Sequence, residues 1–250
     1  MTAETRLKIK SLAKALKILE CFKNSPEMGI SEISKKMGLY KSNVYDILVT
    51  FEALGYVGRN KNGKYHLGFK ILELSHVITG YMGFRRNTYP RMLKIAEETG
   101  ETVYLGIPDG TDVLYLDAAY PSSVLNTRSI LGERIPMYCT GIGKAILANL
   151  GKDIRDLVFT QPKTKFTENT ILDKQQLHDS LTEILTRGYA VDNMEHERGI
   201  KCVGAAIIND LDEAAAGISI SGPSLRFDEV SIPRFAKLLK EEVQELRLYF

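Results

Sequence analysis

GISEISKKMGLYKSNVYDILVTFEALGY, residues 29 to 56, decides the fold of the first part of this chain. Ile33 and Met37 stand four apart, and Val44, Leu48, Phe51 and Leu54 recur at helical spacing. Gly38 lies between the two runs, where a backbone can reverse at low cost. The spacing is that of a helix-turn-helix, and equally that of a helical hairpin in an all-α core. The second helix opens with Lys41, Ser42 and Asn43, followed by Tyr45 and Asp46. Free backbone N–H groups, short hydrogen-bonding side chains and a cation thus gather at the helix end that enters a DNA groove in such motifs.

Working outward, Leu12, Ala15, Leu16, Leu19 and Phe22 predict an amphipathic first helix over Ser11 to Asn24, with Ser11 as N-cap. Pro26 and Gly29 end it. Beyond Gly55, two short extended runs flank Asn62-Gly63, a hairpin signal, and a hairpin behind a helix-turn-helix makes a winged helix. Its tip carries Arg59, Lys61 and Lys64, suited to phosphate contacts, although charged loops are also commonplace in water. Residues 1 to 70 hold 13 Lys and Arg against 6 Asp and Glu, a net +7, whereas the remainder nets −5. A basic small domain joined to a mildly acidic large one suits a chain whose first part meets a polyanion.

Residues 69 to 84 read as a linker helix, and 85 to 250 as a second domain. There, a helix from about Thr88 to Thr99 ends at Gly100, a left-handed cap. Two strand pairs follow: Thr102–Ile107 with Val113–Ala118, and Cys202–Ile208 with Ala214–Ser221. Helical stretches occupy roughly Gly143–Asn149, Lys174–Arg187 and Phe235–Leu248. The expected fold is therefore α+β: a winged helix over 1 to 68, the linker, and an antiparallel sheet with packed helices. No run of about 18 apolar residues exists to span a membrane, and the charged N-terminus lacks a secretory core, so a cytoplasmic protein is expected. Cys21, Cys139 and Cys202 are odd in number and far apart, which argues against a disulfide framework or a zinc site.

Three segments of the second domain are candidates for ligand binding. In GERIPMYCTGIGKAILA, residues 132 to 148, the N–H groups of Thr140, Gly141 and Ile142 are expected at a helix N-terminus, which attracts carboxylate or phosphate. Gly143-Lys144 invites comparison with a phosphate-binding loop, but Tyr138 stands where its first glycine belongs and Ala145 where magnesium needs a hydroxyl. In RGYAVDNMEHERG, residues 187 to 199, adjacent Glu195, His196 and Glu197 cannot converge on one metal and read as a solvated loop. Asp192, after an extended apolar run, is the one expected to point inward. Ser219 and Ser221, two apart on a strand, share one face. No GxSxG elbow supports a hydrolase. A small-molecule enzyme or a thiol sensor built on Cys139 or Cys202 is the rival reading.

Four blocks, GKYHLG (63 to 68), IPMYCTGIGKAILA (135 to 148), RGYAVDNMEHERGIKCVGAAI (187 to 207) and GISISGP (217 to 223), resemble the IclR family of bacterial transcriptional regulators over nearly the whole chain. The resemblance implies a GAF-like effector domain, homodimers or homotetramers, a double-stranded DNA operator, and control by a small organic acid with no cofactor. The family's effector positions fall on Gly141, Ile142, Asp192, Cys202, Ser219 and Ser221, beside Thr140, with Ile135, Met137 and Ile142 as apolar walls. Two departures stand out. Asn43 and Asp46 occupy positions where relatives usually carry Thr and Arg, and Ala206 replaces a frequent Pro. An Asp on that helix repels phosphate but accepts from cytosine N4, so the operator sequence cannot be borrowed from relatives.

Overall fold

Gly38 takes the left-handed conformation (φ 63°) that lets one short helix end and the next begin. The computed structural model describes residues 8–23, 25–81, 85–122 and 130–250, with side chains for all of these but 79–81 and 85. The chain divides into two compact units, Met1–Met82 and Gly83–Phe250.

In the first unit, α1 (Lys10–Glu20), α2 (Ile30–Met37) and α3 (Lys41–Ala53) precede β1 (Val57–Arg59) and β2 (Tyr65–Leu67), and α4 (Lys70–Tyr81) follows. Ile18, Ile33, Val44, Leu48 and Tyr65 are wholly buried among these elements. The expected helix-turn-helix and wing are both present. Three details differ from expectation. Ile9, not Ser11, occupies the N-cap of α1, because the amphipathic period already holds from Lys10. Leu54 is 58% exposed, since α3 has ended before it can turn inward. The wing turn is organised by Asn60, whose Oδ1 accepts from the N–H groups of Asn62 and Lys64 (both 3.0 Å), while Gly63 takes the positive φ of 76°. The expected helix end at Asn24 and the linker's last residues, 82–84, lie outside the described residues.

The second unit is built on a six-stranded antiparallel sheet in the order β5-β4-β3-β8-β7-β6. Its strands are β3 (Thr102–Asp109), β4 (Asp112–Ala119), β5 (Arg134–Pro136), β6 (Ala190–Asn193), β7 (Ile200–Ile208) and β8 (Ala214–Pro223). Its helices are α5 (Arg85–Thr99), α6 (Gly141–Ala148), α7 (Lys152–Thr160), α8 (Lys174–Arg187) and α9 (Ser231–Leu246). Alternation along each strand sends Val103, Leu105, Val203, Ala205, Ile218 and Ile220 to the face covered by α5 and α9. Tyr104, Val113, Tyr115 and Ala214 go to the other face, where α6 and α8 pack. Both expected hairpins and the α8 bounds agree with the sequence reading. β5 and α7 were not expected, β6 forms where an extended run was read before Asp192, and α5, α6 and α9 begin two to four residues early.

The seat of α6 explains where a site can exist. Strand pairing aligns Ala206, Gly217 and Gly106 in one row across β7, β8 and β3, and Gly204 opposite Ser219 in the next. A side chain on Gly204 would stand 2.5 Å from Gly141 C and Ile142 N, and one on Gly217 would stand 2.9 Å from Ile142. Glycine therefore lets the helix lie directly on the sheet. Beyond the helix end the rows change character and become polar.

Candidate functional site

Two surfaces carry chemistry, one in each unit. On the first, the opening of α3 faces solvent: Lys41, Ser42, Asn43, Tyr45 and Asp46 are exposed, while Val44 and Leu48 between them anchor the helix. Tyr40, just before the helix, is 82% exposed and was missed by the sequence reading, which counted only residues inside the helix. On the wing, Arg59, Lys61 and Lys64 are exposed as expected. The Arg59 guanidinium lies over the Tyr65 ring at 5.5 Å, and Lys64 stands 3.9 Å from Glu32 in an exposed pair that binds weakly. Glu32 is already committed, accepting from the Gly29 N–H at 2.6 Å at the start of α2.

The second surface is a cavity of about 500 Å³ on the α6 face of the sheet. Register places Asp192, Cys202, Ser221 and Thr102 side by side on β6, β7, β8 and β3, and all four line the cavity. Ser219, Tyr104, Tyr115, Ile135 and Thr140 also line it, as do Glu133, His196 and Glu197, and Glu101 and Arg226 belong to the same lining. Of the residues expected from sequence, Ile135, Thr140, Asp192, Cys202, Ser219 and Ser221 meet here. Met137, Gly141 and Ile142 do not: Met137 and Ile142 are buried in the core behind the wall, and Gly141 is pressed against Cys202 and Gly204. At the helix N-terminus one N–H beyond the expected three is taken up within the protein. Thr140 Oγ1 accepts from the Gly143 N–H at 3.0 Å, capping α6.

Asp192 is aimed by a turn whose conformation is held from several sides. Its Oδ1 accepts the Glu195 N–H at 2.6 Å, and Met194 takes a positive φ of 61° to close the turn. Buried Thr167 and Thr170 donate to the carbonyls of Met194 and Glu195, each at 2.7 Å. Glu195 is buried, which corrects the reading of 195 to 197 as a solvated loop. It is paired with Lys144 of α6, whose Nζ also donates to Val191 O at 2.9 Å. Lys144 is itself only 2% exposed. A buried pair of this kind persists only when both charges are bonded, so α6 and the turn are locked together.

Burial, followed by the nearby Glu195 carboxylate, raises the Asp192 carboxyl to about 7; the Glu195 N–H, Lys144 and the Cys202 thiol oppose the shift. Cys202 donates to Ser221 Oγ at 3.1 Å. Burial and then Asp192 push its thiol well above the ordinary range, and burial does the same to Cys139. Both are protonated thiols at neutral pH, which removes the nucleophile that a thiol sensor needs. Among the described residues no cluster of His, Cys, Asp and Glu is arranged to hold a metal.

Comparison with known proteins gives the family of both units. The profile of the IclR helix-turn-helix domain matches residues 11–61, and that of the bacterial transcriptional regulator IclR C-terminal region matches residues 76–247. The HTH-type transcriptional regulator XynR of Escherichia coli K12 is 33% identical over 93% of this chain and 94% of its own length. The crystal structure of Thermotoga maritima IclR superposes with a TM-score of 0.78 at 34% identity, covering 95% of this chain and 97% of that one. An IclR homologue from Microbacterium hydrocarbonoxydans, solved with 4-hydroxybenzoate, shares the fold at 20% identity with a TM-score of 0.83, covering 96% of this chain and 98% of that one. This chain belongs to the IclR family of transcriptional regulators and joins a helix-turn-helix DNA-binding domain to a C-terminal effector-binding domain.

Proposed function

We propose that residues 1–68 read an operator through Lys41, Ser42, Asn43, Tyr45 and Asp46, with Tyr40 beside them and Arg59, Lys61 and Lys64 on phosphates. Residues 69–84 link them to a domain, 85–250, that binds a small organic acid. The cavity row Asp192, Cys202, Ser221 and Thr102 carries the second half of this reading: four polar side chains aligned by strand register, where an inert core would be apolar. The acid shifts the population between arrangements of two DNA-binding units that match the operator and arrangements that do not. The working unit is a homodimer or homotetramer in the cytoplasm. Supporting assembly, α4 exposes Leu72, Leu74, Val77 and Ile78, and α1 exposes Leu12 and Leu16, more apolar surface than isolated helices of a monomer normally leave in water.

Asp192 gives a pH signature. Its folded-state carboxyl, at about 7, lies above its ordinary value, so it is neutral at pH 6 and charged at pH 8.5. A neutral Asp192 can donate to an acid or leave it undisturbed; a charged one repels it by on the order of 1 kcal/mol across the cavity. Titrating the protein with benzoate, which has a carboxylate and no hydroxyl, is expected to give roughly fivefold weaker binding at pH 8.5 than at pH 6. Asp192→Asn should flatten that profile. A profile identical in wild type and variant contradicts this role for Asp192. By the same linkage the ligand-free domain loses stability as pH rises from about 4 towards 7, because the unfolded chain releases this proton first.

A further inference from the structure

Thr140 takes the Gly143 N–H at the opening of α6, so what a charged acid group would meet elsewhere on the cavity wall is set by its side chains. Arg226 is the Lys or Arg side chain among the described cavity-lining residues, and nothing in the sequence marked it. It sits on the 3-10 turn Ser224–Arg226 directly after β8. The turn is fixed at both ends: the Ser224 N–H donates to Gly199 O at 2.7 Å, and buried Phe227 packs on Phe235 with ring centroids 5.2 Å apart. Arg226 is therefore held beside the cavity although its side chain is 51% exposed.

Its orientation is set by Glu101. Nη2 donates to Glu101 Oε2 at 2.7 Å and Nε meets Oε1, so one edge of the guanidinium is filled by a carboxylate. Glu101 is only 2% exposed and has room because residue 222 is glycine; a side chain there would stand 1.9 Å from Oε2. Burial raises the Glu101 carboxyl, against the pull of Arg226, so the pair is held by geometry on the glutamate side. A guanidinium has a second edge, Nη1 with the outer hydrogen of Nη2, of the same bidentate shape. Among the described residues no acceptor meets it.

Resting on the organic-acid reading above, we propose that Arg226 is the carboxylate receptor of this cavity and fixes the direction in which an effector lies. The acid group takes the open edge of Arg226 near the mouth, and the opposite end reaches the row Asp192, Cys202 and Ser221. That inner end is matched to a hydroxyl, which can donate to Asp192 and accept from a thiol or serine. The reverse orientation would lay an anion against Asp192 and leave the open edge of Arg226 without a carboxylate.

The test is calorimetric titration of the full-length protein with two matched triads: 4-hydroxybenzoate, benzoate and phenol, and 5-hydroxypentanoate, pentanoate and pentanol. Wild type is expected to bind the hydroxy acid of at least one triad tightest. Arg226→Met should weaken both acids of that triad more than tenfold and change the alcohol or phenol less than threefold. Asp192→Asn should reduce the advantage of the hydroxy acid over its parent acid and leave the parent acid no weaker at pH 7. Because Arg226→Met strands Glu101, Glu101→Gln/Arg226→Met is measured beside it and should show the same selective loss with an unchanged melting temperature. Acid affinity unaltered in both variants overturns the role of Arg226 while leaving organic-acid binding intact. A wild type that binds none of the four acids contradicts the organic-acid reading itself, and this inference with it.

Discussion

Lys144→Met is expected to destabilise the effector domain by about 3–5 kcal/mol, because it leaves the Glu195 carboxylate buried without its cation. Lys144 and Glu195 are 2% and 4% exposed, and they join α6 to the turn that presents Asp192. Glu195 Oε1 also accepts the Asn193 N–H at 3.3 Å, and the Glu195 N–H holds Asp192, so loss of the pair reaches the cavity through the backbone. Chemical denaturation followed by far-UV circular dichroism reads the effect. The double variant Lys144→Met/Glu195→Leu should recover most of the stability, since an apolar pair of similar volume can replace buried charges at little cost. Ligand binding should return with stability, because the Glu195 N–H that holds Asp192 belongs to the backbone and survives the substitution. A stable Lys144→Met single variant would show that the buried pair is not what holds the turn.

The second large effect concerns DNA. Asn43→Ala/Tyr45→Ala is expected to remove site-specific binding, at roughly 1–3 kcal/mol for each base that goes unread. Non-specific, salt-sensitive binding should persist through Lys41, Arg59, Lys61 and Lys64. Both replaced side chains are exposed, and α3 is anchored by Val44 and Leu48, so melting temperature and assembly state should not move. Gel-shift competition with unrelated DNA separates the two modes. Unchanged operator preference would remove the opening of α3 from the recognition surface.

Much of the fold was legible in the residue order because the signals were local. The α2 and α3 pattern needed only a 3.6-residue period and one glycine, and Ser219 with Ser221 needed only the alternation of a strand. What escaped depended on partners far along the chain. Glu195 reads as one charge among several in EHER, and its burial is set by Lys144, 51 residues earlier on a helix seated on sheet glycines. Arg226 sits on a short turn with no period, and its meaning comes from Glu101, 125 residues away. That Gly141 and Ile142 are buried and do not line the cavity has the same origin. The glycines that bring α6 onto the sheet are visible in sequence, but the resulting burial of its first residues follows from strand register. β5, with three residues, is too short to show a period of two.

Coupling between an acid-binding cavity and an operator-reading helix is what most needs measuring. The direct experiment is binding of the full-length protein to DNA from upstream of its own gene, across a salt series, with and without the six triad compounds. Expected is sequence-specific binding that falls steeply with salt and a midpoint moved several-fold by an acid that also binds in calorimetry, with no such shift in Arg226→Met. Specific binding that stays the same when the cavity is saturated with acid would contradict the coupling.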